Sequence, residues 1–221
     1  MYAQQMAAAG RMIGAAGAFP VVEATSNTSI QNTDVTTHPI TMPSGVTVGD
    51  GLVVFFGFDG VVTASISSGS GWTINSQDPG TSGGGALVWK VADGTDALTM
   101  GTSGAEQSAA VVYRISNFGS LSASIAENLG TNDTPPTHNP GVSDDYLWLV
   151  ALIGQGGSSV PTAAPSGYTN FISAASTGSG TGSGIGAAQR NLTASSESPG
   201  AFTAPDTGAS RTAFTVSIAP P

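Results

Sequence analysis

The sequence predicts an all-β fold, an antiparallel β-sandwich of the jelly-roll-like kind, from three observations. Charged residues make up only 9% of the 221 residues, and a single Lys cannot furnish the polar faces of long surface helices. Apolar residues come in short bursts separated by Gly- and Ser-rich turns, which is typical of many short strands. The third observation is that the second half of the chain follows the order of the first.

The repeat shows most clearly in two turns that join Ser-Gly to an aromatic residue and Thr. "GSGWTIN" spans Gly69–Asn75, and "PSGYTNF" spans Pro165–Phe171. The apolar burst after Asp50 likewise corresponds to the burst after Asp145. The separation of corresponding residues drifts from 95 to 103, as expected when loops gain and lose residues.

A duplicated unit is the simplest interpretation of this order. Its two halves cover about residues 20–118 and 122–219, within a sandwich of residues 20–221. We expect the halves to interleave, with each half donating strands to both sheets. The alternative is two small domains in tandem, because a unit of about 95 residues is large enough to fold alone.

Each half supplies four or five strands. In the first half they are predicted at Val21–Thr25, Val35–Thr41, Leu52–Phe58, Ala86–Val91 and Ala109–Ser116. The burst "LVVFFGF" is apolar at consecutive positions, so both faces of that strand should be covered.

The first 19 residues stand outside the repeat and form a short N-terminal arm or helix, which Pro20 ends. Apolar side chains at helical spacing predict a helix with one apolar face. We expect the arm to dock by burying four side chains in a partner or sister subunit; they are Tyr2, Met6, Met12 and Ile13. A frayed tail is the alternative, since isolated helices of this length are marginal in water.

Charge and composition exclude several classes of function. The net charge is −9 and the five basic residues are scattered, so phosphate-driven binding of nucleic acid is not expected. No Cys is present, which excludes disulfides, thiolate zinc sites and Cys nucleophiles. The longest apolar run, Leu147–Ile153, is far below the ~20 residues of a membrane span. The N-terminus lacks a basic start and an unbroken apolar middle, so we expect synthesis in the cytosol without a classical signal peptide.

The chain offers little that resembles catalytic chemistry, and we expect no enzyme activity, no cofactor and no metal. His38 and His138 are the only histidines, too few for a zinc site. Asp93 and Asp96 flank a Gly and could supply two oxygens to Ca²⁺, but Asp-Gly is foremost a turn signal.

The repeated aromatic residues, Trp72 and Tyr168, have two interpretations. The favoured one is that each closes the same end of its half of the sandwich, because core positions recur in a duplication. The alternative is that the rings are exposed and serve as glycan contacts by stacking on sugars.

The order of the motifs resembles a family. "PSGVTVGD" (Pro43–Asp50), the apolar burst, "SGW", "VWKVADGTD" and "AEQSAAVVYRIS" are followed by "SGYT", "LTASSESPG" and "TAFTVSIA". Over roughly residues 20–221 this order is similar to β-sandwiches in accessory virion proteins of tailed bacteriophages, which are labelled capsid decoration, head fibre or tail fibre.

The resemblance implies a jelly-roll-like sandwich with a structural role in the virion, no catalytic residues and often a symmetric oligomer. The family pattern does not define how the arm docks; that the protein is made in the host cytoplasm and anchored to the particle by its arm is our own expectation. Its partners would be other capsid or tail proteins and copies of itself, in a trimer or another small cyclic oligomer. The rival is a carbohydrate-binding module or adhesin that recognises host glycans, and a weaker one is a depolymerase.

Overall fold

The computed structural model describes residues 18–127, 132–155, 160–177, 182–205 and 210–221. Its strands are β1 (Val21–Ile40), β2 (Gly51–Asp59), β3 (Ala64–Ser68), β4 (Thr73–Asp78), β5 (Gly83–Val91), β6 (Leu98–Ser116), β7 (Ser120–Ala126), β8 (Asp144–Gln155), β9 (Thr169–Ala175), β10 (Ser183–Ala194) and β11 (Arg211–Ala219). None of the described residues forms a helix able to cross a membrane. The four apolar arm residues named above lie outside the described residues.

The strands form two antiparallel sheets that pack face to face, which confirms the predicted all-β sandwich. The first sheet, sheet A, has the order β1-β6-β2-β5-β4, and β3 pairs with β6 off this path. The second sheet, sheet B, has the order β7-β11-β8-β10-β9. The expected interleaving is wrong, because all strands of sheet A precede all strands of sheet B in the chain. Pairing within each half needs only local connections, whereas interleaving would need long ones.

The two sheets share their strand order and also their register. Leu52 pairs with Lys90 and Arg114 in sheet A. Trp148 pairs with Arg190 and Ser217 in sheet B. The residues that pair in one sheet therefore correspond to the residues that pair in the other, strand by strand.

An irregularity recurs at the same place in both sheets. In sheet A the β4–β5 ladder shifts between the pairs formed by Ile74 and Ser76. In sheet B the β9–β10 ladder shifts between the pairs formed by Ala187 and Gln189, the corresponding position. A shared bulge is a specific feature, because it displaces the side chains of one strand relative to its neighbour. Common descent of the halves stays a prediction, but their geometry corresponds.

One apolar core lies between the sheets and unites them. Its members alternate along the strands of both sheets, and Phe55 of β2 contacts Phe214 of β11 with ring centroids 5.8 Å apart. Because side chains of successive residues point to opposite faces, the neighbouring positions fill two further cores on the outer faces. One includes Leu52, Phe56 and Trp72 on sheet A, and the other includes Trp148 and Tyr168 on sheet B.

These outer cores explain the consecutive apolar positions in the sequence. Every residue of β2 is buried, as predicted for "LVVFFGF". Two other strand predictions need correction. The predicted strands Val21–Thr25 and Val35–Thr41 belong to one strand, β1, and β6 begins eleven residues before the predicted start at Ala109. The additional residues of β1 and β6 pair with each other, and β6 also pairs with β3.

Candidate assembly surface

The repeated Ser-Gly-aromatic turns pack against a basic residue in each half. Gly71 and Gly167 have positive φ angles of 76° and 83°, a conformation that glycine adopts at low cost. A side chain at Gly71 would meet Lys90, and one at Gly167 would meet Arg190. Each turn therefore lies against the corresponding cation of its own half.

The aromatic residues of these turns close the two outer cores. Trp72 and Tyr168 are only 7% and 8% exposed. The Trp72 Nε1–H donates to the carbonyl of Ala97 at 3.1 Å, and the Tyr168 hydroxyl donates to Glu197 Oε1 at 3.3 Å. The structure places the two rings on opposite outer faces and does not bring them together. Their burial matches the core interpretation, and a glycan contact by either ring stays a prediction.

The two cations are neutralised differently. Lys90 Nζ lies 2.7 Å from Asp93 Oδ1 and 3.3 Å from Asp96 Oδ1, while Arg190 Nη1 lies 3.0 Å from Glu197 Oε1. The hydrogen bond from Lys90 holds the pKa of Asp93 well below its usual range. The carboxylates weighed for Ca²⁺ thus bind an ammonium group. The described residues contain no cluster of three or more His, Cys, Asp or Glu side chains able to hold a metal ion.

Both histidines are buried between hydroxyl groups. His38 lies within β1, with Nε2 3.0 Å from Thr102 Oγ1 and Nδ1 2.9 Å from Ser108 Oγ. His138 lies 2.9 Å from Ser124 Oγ and 3.1 Å from Ser217 Oγ. A Ser-His-Asp triad needs a carboxylate on the second ring nitrogen, and in both residues a hydroxyl takes that place.

Burial also sets the protonation state of these rings. It lowers the pKa of His38 to about 4, although the carbonyl of Val35 acts in the opposite direction. It lowers the pKa of His138 as well. Both rings are therefore neutral at pH 7 and act as hydrogen-bonded parts of the outer cores.

An acidic pair lies at the end of the sandwich where β2 finishes. Burial raises the pKa of Asp59, although the backbone N–H of Gln107 donates to its Oδ1 at 2.6 Å. Burial and the charges of Asp59 and Asp34 raise the pKa of Glu106 to about 7. Asp59 and Glu106 are hydrogen-bonded to each other, so the pair shares a proton below neutral pH.

The opposite end, where β2 starts at Gly51 and β8 starts at Asp144, is named the arm end here. It contains a cavity of about 360 Å³ on the outer face of sheet B. Ser120, Ser122, Ser217 and Ala219 line it from β7 and β11, Asp144 and Tyr146 from β8, and Pro140, Val142 and Pro220 from the adjoining segments. We name it the arm-end cavity; it combines hydroxyl groups, a carboxylate and apolar walls.

The arm joins the sandwich at this same end. The side-chain amide of Asn117 donates hydrogen bonds to the carbonyls of Ala18 and Phe19, the latter at 3.4 Å. Six large apolar side chains of the described residues are exposed, and four of them belong to the arm end. These four are Val21, Val48, Val91 and Val142. Most of the exposed large apolar side chains among the described residues therefore lie at the end where the arm joins the sandwich.

The chain matches no family model, no curated protein and no solved structure. The site must therefore be judged on its own geometry. Sequence reasoning missed Asp144, Tyr146 and Ser217 as members of one cavity. One signal was present, because aligning "AAVVYRIS" with "TAFTVSIA" sets Arg114 against Ser217, an arginine against a serine.

Proposed function

We propose that this chain is a non-catalytic structural protein of a tailed-phage virion. It decorates the capsid or forms a short head or tail appendage, is made in the host cytoplasm, and is anchored by its N-terminal arm. The observation that carries the proposal is the arm end. The arm leaves from the end that has the cavity and most of the exposed apolar side chains.

The rest of the sandwich supports a structural role. Its three cores leave the sheet faces covered, and both histidines are neutral and hydrogen-bonded. Such a body is stiff and offers few sites for proteolysis, which suits a particle exposed outside a cell. The resemblance of the motif order to accessory virion proteins supports the same role.

The experiment is mass spectrometry of gradient-purified virions from a culture that produces this chain, before and after a high-salt wash. We expect the chain in washed particles at a stoichiometric level. We then delete codons 2–19 from the gene for this chain in the phage. The resulting virions should lack the truncated chain, although it is present in the lysate. Complete absence of the full-length chain from particles would overturn the proposal.

A carbohydrate-binding module or adhesin is the second candidate, and the arm-end cavity favours it. Tyr146, three serines and Asp144 offer the aromatic, hydroxyl and carboxylate groups that sugar sites use. Titration of intrinsic Trp fluorescence with a broad glycan panel tests it. A saturable change supports this candidate, and no change across the panel removes it.

A further inference from the structure

The arm-end cavity of sheet B lies where sheet A holds an arginine. Leu52 and Trp148 occupy corresponding positions, and their partners on the neighbouring strand are Arg114 and Ser217. Moving two residues back along β2 and β8 sets Asp50 against Tyr146. Sheet B therefore lacks both members of the ion pair that sheet A has at this corner.

In sheet A the arginine fills its own corner. Arg114 Nε lies 2.6 Å from Asp50 Oδ2, and Nη1 donates to the carbonyl of Ser44 at 3.4 Å. In sheet B the small hydroxyl of Ser217 stands in place of the guanidinium. The cavity that results keeps a carboxylate, Asp144, in its lining.

The arm contains an arginine whose charge suits this corner. Of its five basic residues, four are described, and each is ion-paired within the sandwich: Lys90 with Asp93 and Asp96, Arg114 with Asp50, Arg190 with Glu197, and Arg211 with Asp133. The fifth is Arg11, in the arm. Arg11 lies outside the described residues, in the segment that precedes Ala18.

The arm joins the sandwich close to the cavity. Asn117 binds the backbone of Ala18, and Ser120 lines the cavity three residues further along the chain. Three residues separate their Cα atoms by at most about 11 Å. Arg11 lies seven residues before Ala18, a segment that spans at most about 25 Å when extended.

We propose that the arm-end cavity binds the Arg11 segment of a second copy of this chain, with the guanidinium paired to Asp144. The inference rests on the proposed function only in treating the arm as a docking segment, and it names a partner for it. A second copy packed against the arm end would also cover the four exposed valines there. The arm exit and the cavity share one end, so a symmetric contact through that end brings each arm to the other copy's cavity.

The test is the self-association of the full-length chain, measured by sedimentation equilibrium over a wide concentration range. We expect the wild type to be oligomeric. Arg11→Gln and Asp144→Asn should each raise the dissociation constant about tenfold or more, because a buried charge loses its partner. Asp145→Asn is the matched control: this neighbouring carboxylate binds Thr193 and does not line the cavity, so the dissociation constant should not change.

Two further variants separate the ion pair from general effects. Arg11→Asp combined with Asp144→Arg in one chain should restore association, since the charges are exchanged but remain complementary. Ser217→Arg places an arginine in the cavity as in sheet A and should abolish association. Urea unfolding of each variant verifies that the sandwich is intact.

Three results would overturn the proposal. One is a wild-type chain that stays monomeric at all concentrations, which would leave the arm to its own chain or another protein. Another is an oligomer that Arg11→Gln and Asp144→Asn leave unchanged. A third is a double exchange that fails to restore association while its sandwich is folded. Sedimentation uses no virions, so these results are distinct from absence of the chain from particles.

Discussion

The two sheets of this protein have the same strand order, register and bulge, yet they differ at their corners. At the arm end, sheet A carries the ion pair of the half-buried Arg114 and the buried Asp50, whereas sheet B carries Ser217, Tyr146 and a cavity. At the far end, sheet A ends β2 with Asp59, and sheet B ends β8 with Gln155. The difference teaches that two sheets with the same ladders can end differently: one corner is closed by an ion pair, and the corresponding corner has a cavity.

The comparison also separates the core residues that hold the two sheets together from the polar residues that differ between the halves. The inner core joins both sheets through apolar side chains and also contains the buried Tyr113. The polar groups at the sheet ends vary between halves without disturbing the ladders. Substitutions in the shared core should therefore affect both sheets, and substitutions at the corners should affect one.

The largest effect is expected from Phe214→Ala, which removes a ring from the core between the sheets. Phe214 is fully buried and contacts Phe55 of the other sheet. The loss should be about 3–5 kcal/mol in the free energy of unfolding. Urea titration followed by Trp fluorescence and by circular dichroism should give one coincident transition, because the sheets share this core. Two separate transitions would show that the sheets fold independently.

The next effect is expected from Arg114→Ser, which copies the sheet B residue into sheet A. Asp50 is 7% exposed and would keep a buried carboxylate without its guanidinium. The free energy of unfolding at pH 7 should fall by about 3 kcal/mol. The double variant Arg114→Ser with Asp50→Asn should recover part of the loss, because it removes the buried charge.

The pH dependence of this loss follows from Asp50. Burial alone would raise its pKa, but the hydrogen bonds from Arg114 and Thr47 lower it. A lowered carboxyl pKa stabilises the fold above the unfolded pKa, and this stability disappears as pH falls through the folded pKa. The difference between wild type and Arg114→Ser should thus shrink in acid. A difference that is equal at pH 7 and at strongly acidic pH would contradict the assignment.

A smaller effect is expected from Glu106→Gln, which removes the shared proton at the far end of sheet A. The pKa of Glu106 is raised from 4.5 to about 7, so the protonated form stabilises the fold. The contribution of Glu106 to the free energy of unfolding is fully present below about pH 4.5 and is lost as pH rises through 7. The Gln variant should lack this decline and exceed the wild type at pH 8 by about 1 kcal/mol, given solvent screening. Parallel pH profiles of the two proteins, measured by thermal unfolding, would refute this.

The smallest effect is expected from Tyr168→Phe, which removes the hydroxyl that binds Glu197 in sheet B. Glu197 keeps Arg190 as a partner, so the loss should be only about 1 kcal/mol in the free energy of unfolding. Trp72→Phe tests the corresponding position of sheet A and should lose a similar amount with the bond to Ala97. Urea midpoints compare the two. A loss above about 3 kcal/mol in either would indicate a packing defect and not a lost hydrogen bond.

The sequence predicted which strand faces are buried better than it predicted which strands pair. Consecutive apolar residues in β2 require cover on both faces, and that inference was confirmed. Interleaving was wrong because periodicity shows which faces are apolar but not which strand lies alongside. The polar residues of β1 and of the first half of β6 gave no strand signal, because bulges interrupt their alternation and their register.

The residues of the arm-end cavity could be predicted from the sequence only in part. The serine that corresponds to Arg114, Ser217, is visible once the halves are aligned. The alignment of Asp50 with Asp145 is off by one residue. The ladders set Gly51 against Leu147, so Asp50, one residue before Gly51, corresponds to Tyr146. A one-residue slip moves a side chain to the other face, so the composition of the cavity needed the register.

The central claim is that Arg11 of one copy reaches Asp144 of another, and cross-linking tests it most directly. The chain contains no Cys, so Arg11→Cys and Asp144→Cys each introduce a unique thiol. The two variants carry different tags and are mixed and allowed to exchange subunits. They are then treated with a bis-maleimide whose spacer matches the length of a paired arginine and aspartate side chain. The account predicts a covalent dimer that carries both tags. Failure of the mixture to cross-link, while a single chain with both substitutions forms only an internal link, would contradict it.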